Sequence, residues 1–487
     1  LNILLIIYNF MKNFLIPIET KVRDYESRLL ISLKILSLSN NQNFKIYIGD
    51  RRKLLSVFEK RKISQSSTFV YLALGVDQQP IFYKNLYKRN GIFTSLDEES
   101  AIFSNNQEKV QKRHVFNKEC LKYINKIFTW GNFDSESIRL SNELLNPNVI
   151  KLTGNPRFDL SKSDFDFFYS KKYDDRKTNT IFINCAFGVI NNYVDQKVDN
   201  KLWSLRVKNY PSYETLWKTL EEYESKLFPK FIEGILELVK IFPDEHFIVR
   251  PHPVENEAIY EKIFKDCKNV KIDKSASIQS EFLRTKLIIH NGCTTAIEGT
   301  FHDINVICFN PYFQADNVQT LTYKVSNLIQ DKNSLSKEVS KIIKSNLKPP
   351  DNIYEIKDEI IKPLIDNIDY HSFDKIAEEL VSIDQEKTLK DFSVSLSNID
   401  MNEKLNIFDT KIRYKLAKYF SKIIINFFHK NYVAQVNLRE KKKFSLNLAE
   451  IEKDIKILEP FFKLDDQINI TSLEENCFEL TKFKDKM

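Results

Sequence analysis

The stretch "LIIHNGCTTAIEGTFHDINVICFNP", residues 287–311, joins two apolar runs through a short segment of a different kind. "KLIIH" reads as a buried strand, Asn291-Gly292 as a turn, and Thr294-Thr295 as the start of a helix reaching about Phe301. A helix start offers unpaired N–H groups and the positive end of the dipole, which suits a phosphate. Two hydroxyls add donors without bulk. Glu298, one turn on, is placed to accept hydrogen bonds from ribose hydroxyls. The plainer alternative is that Thr294 caps the helix and Glu298 completes a capping box.

Glycine maps the rest of the chain. Nine glycines fall at 49, 75, 91, 131, 154, 188, 234, 292 and 299, with none beyond. Several close short apolar runs: "FKIYIG", "FVYLALG", "KIFTWG", "VIKLTG" and "KLIIHNG". These runs alternate with helix-length segments such as "RDYESRLLISLKILSL" and "FDSESIRLSNELL". Such alternation predicts parallel sheets wrapped by helices. One domain is expected over 11–157 and a charged, aromatic connector over 158–180. A second α/β domain over 181–349 contains "IFINCAFG", "EHFIVRPHP", "KNVKID" and "INVICFNP". Two Rossmann-like domains facing each other across a cleft make the GT-B architecture of many nucleotide-sugar enzymes. Residues 350–487 change in texture, with long Lys/Glu/Ile/Phe segments, and read as an appended helical region for packing or partner contact.

At 487 residues and 42% hydrophobic content the chain can bury a sizeable core. A net charge of +7 is small for this length and reads as a scattered solvated surface. The six cysteines form no CxxC pair and have no His at zinc spacing, so a reducing, cytoplasmic setting without structural zinc is expected. "LNILLIIYNF" at 1–10 is too short to span a bilayer and lacks the flanks of a signal peptide. Met11, opening "MKNFLIPIE", is read as the natural start, and residues 1–10 as an over-extended reading frame. No basic run with spaced aromatics points to nucleic acid.

Four further segments place chemistry at strand ends. In "EHFIVRPHPVENE", Pro251 and Pro253 stiffen the backbone around His252, and Arg250 with His252 suits a phosphate or nucleotide. "GIFTSLDEESA" delivers Asp97, Glu98 and Glu99 together, where mutual repulsion can tune one carboxyl for acid/base work. An acidic helix start is the competing reading. Strand alternation would turn Asp97 and Glu99 to one face and Glu98 to the other. "KLTGNPRFDL" ends the first domain with Asn155, Arg157 and Asp159 facing the expected cleft. Asn184 of "INCAFG" stands opposite, and "IETKVRDYESR" brings Arg23 or Glu26 toward the same place, unless these only begin a solvated helix.

The order of "FLIPIETKVRDYESRLL", "NGIFTSLDEES", "LTGNPRFDL", "INCAFGVINNY", "VRPHPVEN" and "HNGCTTAIEGTFHDINVICFNPY" resembles the bacterial surface carbohydrate biosynthesis protein family over roughly residues 13–315. The second half of that family is similar to GT-B glycosyltransferases using CMP-activated acidic sugars of the Kdo and sialic acid type. The resemblance matches Glu98-Glu99-Ser100 to an acidic-acidic-Gly motif, His252-Pro253 to a His-Pro motif and Thr294-Thr295 to a Ser/Thr pair. Ser100 stands where that motif has glycine. By this resemblance Glu98 is the acid/base, while His252 and the threonines hold the CMP phosphate. It implies transfer of a ulosonic acid from a CMP-sugar, without a metal or other cofactor, to a glycan or lipid-linked glycan. It also implies a cytoplasmic protein that meets the inner membrane face or an assembly complex through its tail. A retaining reaction would need a second carboxylate as nucleophile, for which Asp159 is the nearest choice. A UDP-sugar 2-epimerase, a polyol-phosphate transferase and a non-catalytic scaffold remain alternatives.

Overall fold

A computed structural model describes residues 12–39, 44–60, 68–76, 79–98, 115–173, 180–192, 212–313, 320–345, 352–384, 388, 445–464 and 467–482. Met11, residues 1–10 and Glu99 lie outside the described residues.

The apolar runs of the first half form β1 (Lys12–Ile18), β2 (Phe44–Asp50), β3 (Phe69–Ala73), β4 (Gly91–Leu96), β5 (Ile124–Thr129) and β6 (Ile150–Leu152). Their order in the sheet is β2-β1-β3-β4-β5-β6, all parallel. Four of these six strands are buried along almost their whole length, as strands covered by helices on both faces must be. The second half forms β7 (Thr180–Asn184), β8 (His246–Arg250), β9 (Val270–Ile272), β10 (Thr285–His290), β11 (Asn305–Phe309) and β12 (Asn327–Ile329). Its order, β12-β11-β10-β7-β8-β9, reverses direction between β7 and β10. In doubly wound sheets ligands bind outside the carboxyl ends of the strands at such a reversal. The two parallel α/β domains agree with the expected fold class.

One apolar core crosses from domain to domain. Phe158, Phe165 and Phe168 of the first half join Ile288, Ala296, Ile297 and Phe301 of the second. Phe158 stacks on Phe301 with ring centroids 5.1 Å apart. Burying rings of this size is worth about 2–3 kcal/mol each, which fixes how the two sheets meet.

The tail departs from the purely helical expectation. Its helices Ser372–Val381 and Leu448–Leu458 are followed by a hairpin, β13 (Ile468–Glu474) and β14 (Cys477–Lys482). β14 pairs antiparallel with β2, so the first sheet has eight strands. Ile468, Ile470, Phe478 and Leu480 alternate with polar residues, and Asn476 supplies a positive φ of 65° at the turn. Gly49 is obligatory beneath it, because a Cβ there would stand 2.2 Å from the Asn476 carbonyl oxygen.

A buried charge cluster clamps the tail to the connector. Lys172 Nζ lies 2.9 Å from Glu26 Oε1 and 2.7 Å from Asp454 Oδ2, beneath the rings of Tyr25, Phe168 and Tyr173. Burial pulls its ammonium down, but Glu26 and Asp454 more than offset this, and its pKa stands above the usual lysine value. Glu26, expected near the cleft, is therefore committed to this clamp. Lys172→Ala strands two buried carboxylates and should cost about 3–5 kcal/mol, measured by chemical denaturation. Loss below about 1 kcal/mol would show that the cluster contributes little.

Candidate functional site

β7, β8 and β10 end in register, with His290 opposite Asn184 and Asn184 opposite Arg250. Residues far apart in sequence thus stand in one row at the reversal of the second sheet. Around this row the loops are tied to one another before any ligand arrives. Asn291 Oδ1 accepts from the Ala186 N–H at 2.9 Å, and its Nδ2 donates to the Ala186 carbonyl at 3.1 Å. Asn184 Nδ2 donates to Thr295 Oγ1 at 2.7 Å and to Cys293 Sγ at 2.8 Å. The Asn184 amide nitrogen, both polar atoms of the Asn291 amide and the Thr295 hydroxyl are hence already engaged and shape the site from within.

His290, passed over in the sequence, folds the loop that follows it. Its Nδ1 accepts from the Gly292 and Cys293 N–H groups at 2.9 and 3.1 Å, while Nε2 meets Ser326 Oγ at 2.9 Å. Full burial drives its pKa to about 3, so the ring is neutral. Gly292 turns through φ 122°, a conformation open to glycine. The helix Thr295–Phe301 begins there, and Thr294, half-buried at its N-cap, makes no side-chain capping bond.

The loop after β8 is held by another residue the motifs did not flag. Glu255 Oε1 accepts from the Phe187 N–H at 2.7 Å and the His252 N–H at 3.3 Å, and Tyr260 donates to its Oε2 at 2.5 Å. Glu255 lies three residues after His252, a spacing at which a side chain readily reaches a nearby backbone N–H. His252 itself is exposed between Pro251 and Pro253. The Val254 N–H donates to its Nδ1 at 3.4 Å, so the neutral ring carries its proton on Nε2 as a donor. Glu224 braces the neighbouring loop by accepting from the Val189 and Ile190 N–H groups at 3.0 and 3.3 Å, and burial raises its pKa to about 8.

Arg250 is the outlier. It is 6% exposed, and its guanidinium makes no hydrogen bond or ion pair among the described residues. Burial pulls its pKa down against the fields of Glu281, Asp273 and Glu298. A buried guanidinium without a direct partner is costly unless an anion completes it.

The first domain reaches the same place through Arg157. Its Nε lies 2.6 Å from Glu298 Oε1, and its Nη1 donates to the Glu98 carbonyl at 3.4 Å. The guanidinium rests near the faces of Trp130 and Phe158, 5.8 and 5.5 Å from the centroids. Glu298 therefore completes no capping box in this structure. It is the buried counter-ion of Arg157.

Of the three acids, Asp97 and Glu98 are described, and their surroundings differ. β4 stops at Leu96, so strand alternation does not extend to Asp97 and Glu98. Glu98 is buried, ion-paired to Arg28 Nη2 at 2.5 Å, and accepts from Asn155 Nδ2 at 3.3 Å. That engagement corrects the expectation of Glu98 as an open acid/base. Asp97 is half-exposed and lines a cavity of about 210 Å³ with Ser95, Thr129 and Asp134. Asp159 is fully buried and accepts from Asn367 Nδ2 at 2.7 Å and the Phe373 N–H at 3.1 Å. It anchors a tail helix, so the expectation of a nucleophile at Asp159 is corrected. Asn155 caps the turn through Arg157 N at 2.9 Å and is gripped on both backbone groups by Asn367. Arg23 is engaged with Asp24 and Glu19 at the end of β1.

Among the described residues no group of three or more His, Cys, Asp or Glu is gathered that would hold a metal ion. No described helix is long and apolar enough to cross a membrane.

No protein-family model matches the chain, and no curated protein matches it at a significant level. Among solved structures it is similar to the UDP-GlcNAc 2-epimerase of Neisseria meningitidis bound to UDP-GlcNAc, at 12% identity, 77% of this chain, 100% of that chain and a TM-score of 0.43. The wall teichoic acid polymerase TagF is similar at 11% identity, 78% and 90% coverage and a TM-score of 0.48. The UDP-GlcNAc 2-epimerase of Methanocaldococcus jannaschii is similar at 12% identity, 76% and 99% coverage and a TM-score of 0.43. Likeness at this level concerns the fold alone; the two-sheet architecture stands on its own strand order.

Because His290 is neutral when folded and titrates near 6.5 when unfolded, its contribution is present above that value and is lost as pH falls toward 3. The slope is about 1.4 kcal/mol per pH unit. His290→Asn, whose Oδ1 can accept the same N–H groups, should lose roughly 2–3 kcal/mol less than wild type between pH 6.5 and about 4.5. Equal losses in the two proteins would contradict the buried neutral ring.

Proposed function

We propose that the protein is a nucleotide-sugar-dependent glycosyltransferase of surface-polysaccharide biosynthesis, with a CMP-linked ulosonic acid such as Kdo as donor. The observation that carries the reading is Arg250, a buried guanidinium with no partner among the described residues, at the carboxyl end of β8 beside the exposed His252. An anionic phosphate satisfies Arg250, takes a further hydrogen bond from His252 Nε2–H, and lies near the Thr294 hydroxyl. These donors meet the charge that builds on the phosphate as the sugar–oxygen bond breaks and CMP departs.

The base is assigned to Asp97. Glu98 is neutralised by Arg28, whereas Asp97 lines the first-domain cavity with room for an acceptor hydroxyl. Asp97 takes the acceptor's proton as its oxygen bonds to the anomeric carbon. The acceptor is a glycan or lipid-linked glycan, and the enzyme works in the cytoplasm at the inner membrane face.

Calorimetry with CMP, CDP, UMP and UDP tests this. Wild type should prefer CMP, with affinity reduced at least about tenfold in His252→Ala and more in Arg250→Gln. Preference for UDP would favour an epimerase or a UDP-sugar transferase, and binding of none would favour a scaffold. Asp97→Asn should bind nucleotide as wild type does yet lose about 10²–10⁴ in kcat. Unchanged turnover would remove Asp97 from the base role.

A further inference from the structure

The cavity at the carboxyl end of the first sheet holds more than Asp97. Ala73, Ser95 and Ile127 are register partners on β3, β4 and β5, so their side chains share one face of the sheet. Ser95 lines the cavity, is 1% exposed, and has no side-chain hydrogen bond among the described residues. A buried hydroxyl in that state is costly unless a ligand bonds it. Thr129, by contrast, is spent on Ser135 Oγ at 2.6 Å and the Lys151 carbonyl at 3.2 Å. Asp134, 3% exposed in the first turn of the helix Asn132–Ser141, accepts from the Trp130 N–H at 3.4 Å and also lines the cavity. Phe116 and Ile138 add an apolar wall, and no lysine, arginine or histidine lines the space among the described residues. At about 210 Å³ it is smaller than the roughly 300–1,000 Å³ of drug-sized ligand sites, so it takes one ring and not a longer chain.

We propose that Ser95, Asp97 and Asp134 form a subsite for a single uncharged sugar ring, the terminal unit of the acceptor, and that this subsite rejects an acidic sugar. Calling the ring an acceptor rests on the transferase reading, in which Asp97 takes its proton. Ring hydroxyls donate to the two carboxylates and bond the Ser95 hydroxyl, while a C–H face of the ring lies against the apolar wall. A sugar carboxylate would bring a third negative charge into a recess lined by two acids and no cation, where repulsion is stronger than in water. Ser95 separates a ligand role from a structural one. Its hydroxyl bonds no described residue, so removing it strands no partner and leaves the fold as stable as before.

The experiment is saturation-transfer NMR titration of the full chain, with and without CMP, against two matched pairs of probes. These are methyl glucoside with methyl glucuronide, and methyl galactoside with methyl galacturonide, each pair differing only in a carboxylate. Wild type should bind at least one neutral glycoside about tenfold or more tightly than its uronate. Ser95→Ala should weaken that glycoside about three- to tenfold, with CMP affinity and the denaturation midpoint unchanged. Asp134→Asn, whose Oδ1 can still accept from the Trp130 N–H, should narrow the preference by relieving the uronate. Equal or tighter binding of the uronates, binding of no probe, or unchanged glycoside affinity in Ser95→Ala would overturn the proposal. Should Asp134→Asn fail to fold, the Ser95→Ala result decides. If wild type binds CMP but shows no preference for a neutral glycoside, this inference fails and the transferase reading stands. If the preference is present but CMP does not bind, the sugar subsite stands and the transferase reading falls.

Discussion

Arg157 and Glu298 come from different domains and are both buried, so each needs the other to remain charged out of water. Much of the structure serves that meeting. Asn155 caps the turn that carries Arg157, and Asn367 of the tail clasps Asn155 through both backbone groups. Gly154, at φ 75°, lets Asn367 approach, since a Cβ there would stand 2.2 Å from its Oδ1. On the opposite side, His290 folds the loop that begins the helix presenting Glu298. The stacked Phe158 and Phe301 supply the apolar contact beside the pair.

The tail gains a role from this arrangement. A segment that looked like an appendage closes the edge of the first sheet, clamps the connector through Asp454, and positions the cleft turn through Asn367. Deleting it would expose the β2 edge and leave the buried Asp159 without its amide partner.

The parallel sheets were legible because buried strands written as continuous apolar runs end in glycine or a polar turn. For the same reason two second-domain residues were legible: Asn184 and Arg250 are each the last residue of such a run, whereas His290, last in its own strand, was passed over. What local sequence did not reveal was which polar group is already taken. Glu98 and Asp159 look like available carboxylates until Arg28 and Asn367 arrive from 70 and 208 residues away. Glu298 looks like an unengaged carboxylate until Arg157 stands opposite. The hairpin of the tail did carry its signal, in the alternation of "INITSLEENCFELTKF", but two short half-buried strands after a long helical texture are easily read as more helix.

In the proposed complex a nucleotide phosphate enters between Arg250, His252 and the Thr294 turn. Hydrogen exchange with mass spectrometry, with and without saturating CMP, tests it most directly. Exchange should slow in the backbone of 184–192, 250–256 and 290–296, with little change around the Asp97 cavity. Protection confined to the first domain, under conditions where CMP is shown to bind, would contradict it.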